Sequence, residues 1–182
     1  PIAGFLLLFV VPVLTMRSFA EESRTGTLEL LLAVPVTPRP LVIGKWLAGW
    51  LSTLVLLLPV AVTIGIVGLW GSPDLGPAVT GLLGLVLLTA AVAGLGVLAS
   101  SATSSQPTAA VVALFSALVL WFVYGGTSGL RAGSALASLS LSARLQTFAD
   151  GGIDTGDVAF FLCGVVVVLA AAAALIDLRR LR

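Results

Sequence analysis

Apolar residues fill five long blocks of this chain, and its polar positions fall almost entirely between them. The blocks cover residues 1–15, 41–70, 76–99, 108–124 and 157–176. A soluble helix keeps a polar outer face at the 3.6-residue period, and these blocks leave no room for one. They predict helices in lipid. A bilayer core of about 30 Å takes roughly 20 residues at 1.5 Å each, and the last four blocks meet that length. The first gives only about 22 Å. A signal peptide would need a basic leader and a cleavage site, so this block is expected to be the truncated remainder of a span. The predicted fold class is all-α, a polytopic transmembrane helix bundle of five spans.

Charge placement strengthens the reading. Charged residues are 9% of the chain and apolar ones 59%, with a mean hydropathy of +1.18. No charge occurs in residues 46–73, 75–130 or 158–176. At the charge frequency of a soluble domain, the longest gap would arise by chance about once in 10⁷ draws. A charge at a bilayer centre costs about 2.5–3.5 kcal/mol, so spans exclude it.

Lys/Arg counting sets the orientation. Alternation of five spans places Arg17, Arg24, Arg39, Lys45, Arg179, Arg180 and Arg182 on one side and Arg131 and Arg144 on the other. The richer side is expected to be cytoplasmic, and with it the C-terminus. Trp46 and Trp50 then mark an inner interface, and Trp70, Trp121 and Tyr124 an outer one. A cell-membrane location follows, bacterial inner membrane by expectation. A net charge of +1 gives no basic surface for nucleic acid. The chain has no histidine and one cysteine, Cys163, in an apolar run. Internal disulfides, the usual zinc sites and a Cys–His catalytic pair are excluded.

Small residues recur at helical spacing in Gly44/Ala48/Ser52, Ala90/Gly94 and Gly96/Ser100. They suit either packing within the chain or a subunit interface. Pro12 and Pro59 are candidate kinks. Ser52, Thr53, Thr63, Thr89 and Ser116 are the hydroxyls available to line a path, a faint hint of lipid-like or amphipathic cargo.

The charge-dense stretch, residues 16–40, is the informative one. Arg17 with Glu21, and Glu21 with Arg24, can pair along a helix that continues the first span. Gly26 is expected to break it. Thr27 then caps a short apolar helix through residue 34, stopped before Pro35. Thr37 caps the next helix, with Pro38 at its first position. An apolar helix outside the bilayer needs a cover, from this protein or a partner, or else lies in the headgroups.

These residues resemble a known family. Met16-Arg-Ser-Phe-Ala-Glu-Glu-Ser-Arg-Thr-Gly-Thr-Leu-Glu-Leu-Leu-Leu-Ala-Val-Pro-Val-Thr37, with Ile43-Gly-Lys45, is similar to the region after the second span of ABC type-2 exporter permeases. The likeness is nearest to the gliding-motility and nitrous-oxide-reductase accessory branch. Leu139-Ser-Leu and Phe148-x-Asp150-Gly-Gly-Ile-Asp154 before the last span resemble that branch too. The resemblance implies one permease domain over residues 1–182, lacking its first span. It comprises a cytoplasmic coupling segment at 16–40 and an extracytoplasmic segment at 125–157. It further implies that Glu22, Gly26, Thr27, Leu28, Glu29 and Leu30 dock on a separate ABC ATPase subunit. That partner would bind ATP and Mg, since this chain has no Gly-x-x-x-x-Gly-Lys-[Ser/Thr] phosphate loop. A second permease copy, or a related permease, would complete the path.

Residues 100–107 form the other cytoplasmic turn, either a second contact or a capped reversal. On the outer side, Leu141, Leu145 and Phe148 at i, i+4 and i+7 predict a short amphipathic helix over 138–149, lying on the outer surface. Asp154 is expected to cap the last span and Asp157 to favour its N-terminal end. A cation site at Asp150, Asp154 and Asp157 is the alternative, without EF-hand spacing. The expected function is outward ATP-driven transport. A static membrane assembly protein is the alternative, and a membrane enzyme a weaker one, because no span carries a catalytic His, a paired Asp set or a metal site.

Overall fold

The computed structural model describes residues 2–25, 38–71, 74–127 and 139–180. Within them the chain forms seven α-helices and no strand: α1 (Ile2–Thr15), α2 (Arg17–Thr25), α3 (Pro38–Trp70), α4 (Leu75–Ala102), α5 (Gln106–Thr127), α6 (Leu141–Ala149) and α7 (Thr155–Arg180). Five helical stretches are long and apolar enough to cross a membrane: Ile2–Thr25, Pro38–Trp70, Gly76–Ala102, Gln106–Val123 and Thr155–Leu178. The expected all-α bundle of five spans is the fold observed.

Helix α4 is the axis of the bundle and packs against each of the other six described helices. Its sequence suits that place. Apolar on all sides and rich in Gly and Ala, it favours no face over another. Leu88, Val92 and Val97 along it are fully buried. Its glycines let neighbours in. A Cβ on Gly84 would stand 2.8 Å from Phe148 Cβ, and one on Gly96 would collide with Thr15 Oγ1. Between helices in lipid there is little hydrophobic drive, so close van der Waals packing of this kind carries the association.

Helix α3 is the opposite case. Ile43, Leu47, Leu51, Val55, Leu58, Val62 and Ile66 are exposed along it. Such a surface is costly in water and neutral against acyl chains. At 1.5 Å per residue α3 spans about 50 Å, more than a bilayer core, so it tilts or runs on beyond the hydrocarbon. Pro12 and Pro59 lie inside α1 and α3, which continue through both.

The remaining local expectations divide. Asp154 caps α7, its carboxylate accepting from Gly156 N at 2.8 Å. Asp74 caps α4 and Ser140 caps α6 in the same way. The predicted amphipathic helix forms, but its apolar edge enters the bundle instead of resting on the surface. Leu141, Leu145 and Phe148 are all buried, with Leu145 filling the space left by Gly4 and Gly84. Thr80 Oγ1 donates toward the Phe148 carbonyl at 2.7 Å and fixes the end of α6 to α4. The three nearby aspartates serve separate partners: Gln146 for Asp150, the Gly156 amide for Asp154 and Arg144 for Asp157. The stripe Gly44/Ala48/Ser52 faces outward, with nothing within 4 Å of a Cβ on Gly44. Gly96 and Ser100, in contrast, face α1 and α2.

Trp46 and Trp50 turn inward. Their rings stack at 5.3 Å and 11°, and their indole N–H groups donate to the Ala90 and Val86 carbonyls of α4 at 3.0 and 3.2 Å. They rivet α3 to the axis. An indole N–H in a dry bundle must find an acceptor, and a helix carbonyl beside a small residue supplies one.

Candidate functional site

The first span and the charged stretch that follows it meet at Met16, where α1 gives way to α2. In an unbroken helix Phe19 N would donate to the Thr15 carbonyl and Ala20 N to that of Met16. Here both amides donate to Ser100 Oγ of α4, at 2.8 and 2.9 Å. The same hydroxyl donates back to the Met16 carbonyl at 3.0 Å. A side chain from another helix has thus been inserted into the ladder, a recognised cause of a sharp bend. Ser100 is fully buried. One hydroxyl supplies three backbone groups, two at the start of α2 and one at Met16 between the two helices. Serine is the side chain for the place, since it offers both a donor and acceptor lone pairs.

Two further contacts hold the junction. Thr15 is buried, bonds its own helix at the Val11 carbonyl, and sits in notches made by Gly96 and Gly49. Phe19, one turn further, is buried with Val42 of α3, Val97 of α4 and Ala172, Ala173 and Ile176 of α7. Three helices therefore converge on the first turn of α2.

Lys45 of α3 closes the arrangement. Its ammonium reaches the Glu22 carboxylate and the Ser18 carbonyl, and lies 4.4 Å from the centre of the Phe19 ring. All three partners are on α2. The group is about one fifth exposed, so the pair is screened only in part. The opposite face of α2, with Arg17, Glu21 and Arg24, is exposed. The pairing predicted among those three is not made: solvated charges gain little from holding long side chains in one geometry.

Of the six residues assigned to the ATPase contact, Glu22 alone is among the described residues. Gly26, Thr27, Leu28, Glu29 and Leu30 lie outside them, as do the predicted break at residue 26 and the apolar helix after it. The structure brings together three members of the sequence pattern, Phe19, Glu22 and Lys45, and adds Ser100. The spacing of Glu22 and Lys45 gave no sign of their pairing, because they lie on different helices. Ser100 had only its small size to mark it.

The five hydroxyls considered for a path are not assembled into one. Ser52, Thr53, Thr63, Thr89 and Ser116 each donate to a carbonyl three or four residues back in their own helix. Thr53 and Thr89 are fully buried, while Ser52 and Thr63 are exposed. Among the described residues no cluster of three or more His, Cys, Asp or Glu is placed to hold a metal.

Residues 1–146, most of the chain, match the family described as ABC-2 family transporter protein. The chain belongs to that family. It is a multi-pass membrane component of an ABC transporter, and the family as a whole works with an ABC ATPase. No curated protein and no solved structure matches the chain. Within this ABC-2 transporter protein, the matched stretch takes in the α1–α2 junction, Lys45 and Ser100 together.

Proposed function

We propose that this chain is the permease subunit of an ATP-driven exporter, and that residues 16–40 pass the motion of a separate ATPase subunit into the spans. The observation that carries this reading is the clamped junction. Helix α2 starts just after Met16; Ser100 ties its first turn to the axial helix and Lys45 ties its next turn to α3. A push on the segment beyond Thr25 therefore reaches two spans at once.

Glu22 takes a refined part in this scheme. Its carboxylate faces Lys45, so it steadies α2 from within, and docking falls to residues 26–30. Leu28, Leu31 and Leu32 fill an apolar groove on the partner, and Glu29 orients it against basic residues there. ATP and Mg are bound by the partner. Two copies, or this chain and a related permease, enclose the path in the cell membrane, with the C-terminus in the cytoplasm and transport outward. The likeness to the gliding-motility and nitrous-oxide-reductase accessory branch belongs to the same proposal.

The test is a double substitution that leaves the Glu22–Lys45 pair alone, Gly26→Trp with Glu29→Arg. Expressed in its native membrane, the variant is expected to purify as a well-behaved permease without its ATPase. Retained ATPase, with undiminished transport, would overturn the coupling assignment.

A further inference from the structure

We infer that the cleft between α3 and α7 is a lipid site, holding the headgroup and one acyl chain of a zwitterionic, amine-bearing phospholipid of the phosphatidylethanolamine type. The cleft has a volume of about 330 Å³. Its body is apolar, made by Val42 and Ile43 of α3 and by Val166, Leu169, Ala170 and Ala173 of α7. Arg39 and Asp177 belong to its lining as well, and both are exposed.

Three features select the occupant. First, the α7 residues that line the cleft, from Val166 to Asp177, recur at spacings of three and four and so form one helical face. Their alanines hollow that face where larger side chains would close it. Second, eleven residue steps at 1.5 Å give a length of about 16 Å, half of a bilayer core and the depth of one leaflet. Third, Arg39 opens α3 and Asp177 falls in the last turn of α7, so the cleft carries one positive and one negative group at the same end. No ion pair joins them among the described residues, where the salt bridges are Glu22–Lys45 and Arg144–Asp157. A guanidinium suits a phosphate and a carboxylate suits an ammonium. A zwitterionic amine lipid supplies both, with its chain already directed down the apolar face. A phosphatidylglycerol headgroup would satisfy Arg39 and meet Asp177 with no cation.

The experiment uses the full chain in nanodiscs of equal phosphatidylethanolamine and phosphatidylglycerol, followed by native mass spectrometry of the lipid each protein retains. One phosphatidylethanolamine per chain is expected, preferred about tenfold, the ratio that a single charge-assisted contact supports. Asp177→Asn is expected to keep a bound phospholipid and lose the preference. Arg39→Gln should lower retention of both lipids, and so should Ala170→Leu, which fills the cleft and leaves the charges in place. Equal retention by all variants would reduce the cleft to ordinary annular contact and overturn the proposal. So would efficient cross-linking of two copies through Ala174→Cys with no lipid retained, since a second chain would then be the occupant.

Discussion

Replacing Ser100 by alanine removes one hydroxyl and disturbs three backbone groups. The amides of Phe19 and Ala20 lose their acceptor, and the Met16 carbonyl loses its donor. Each unsatisfied buried group costs about 1–3 kcal/mol. The chain has one partial remedy: with the hydroxyl gone, Ala20 N can close onto the Met16 carbonyl in the ordinary helical register. That leaves the Phe19 amide to be settled, and a net loss of about 1–3 kcal/mol. For a chain of this size it corresponds to roughly 2–8 °C in melting temperature. Closing the ladder also frees the α1–α2 junction from α4 and changes how the segment beyond it is held. The permease should therefore lose more than stability. At a temperature where the variant is fully folded, ATP hydrolysis by the bound partner should continue while transport per ATP falls. Ser101→Ala is the control. Ser101 is equally buried, but its hydroxyl bonds only the Leu98 carbonyl of its own helix at 2.7 Å. The two variants should separate clearly in both stability and coupling. Identical behaviour would refute the role given to the inserted serine.

Other sites give sharp expectations. Lys45→Gln removes the cation shared by Glu22, the Ser18 carbonyl and the Phe19 ring; it should loosen α2, seen as faster hydrogen exchange across residues 17–25, with exchange in α4 unchanged. Gly96→Ala drives a Cβ into Thr15 and should sharply cut the yield of monodisperse protein on size-exclusion chromatography; adding Thr15→Ala, which removes the worst collision, should restore part of it. Arg144→Met strands Asp157, whose side chain is about 10% exposed, and should destabilise the fold by about 3 kcal/mol. Pairing it with Asp157→Leu should recover most of that loss in thermal unfolding, because the stranded charge is gone.

Much of the fold could be read from the sequence because lipid imposes a simple rule. Charge gaps and block lengths locate five spans, and the same blocks appear as helices. Caps were legible where the cap and its helix are neighbours, as at Asp154. What escaped were contacts between distant residues. The amphipathic pattern of Leu141, Leu145 and Phe148 shows that one edge is apolar, but lipid and a bundle interior satisfy that edge equally. Only the notches at Gly4 and Gly84 decide for the interior. Trp46 and Trp50 read as interface markers beside Lys45, and nothing local shows that their indoles also bond carbonyls of α4. Small-residue stripes were ambiguous for the same reason. Gly96/Ser100 packs inward and Gly44/Ala48/Ser52 outward, although their spacing is identical. At the candidate site, Phe19, Glu22 and Lys45 stood in the family-like pattern, which says that they matter but not to one another. Ser100 lies 84 residues from the carbonyl it bonds, and no local rule connects them.

Coupling as proposed requires the segment after α2 to touch an ATPase. A photo-reactive benzoylphenylalanine at position 28, in permease expressed in its native membrane, tests this most directly. Irradiation should give one covalent adduct to a subunit carrying a phosphate-loop sequence, and its yield should change when ATP is trapped in that subunit. An adduct only to lipid or to the permease itself, in a protein that still transports, would contradict the claim.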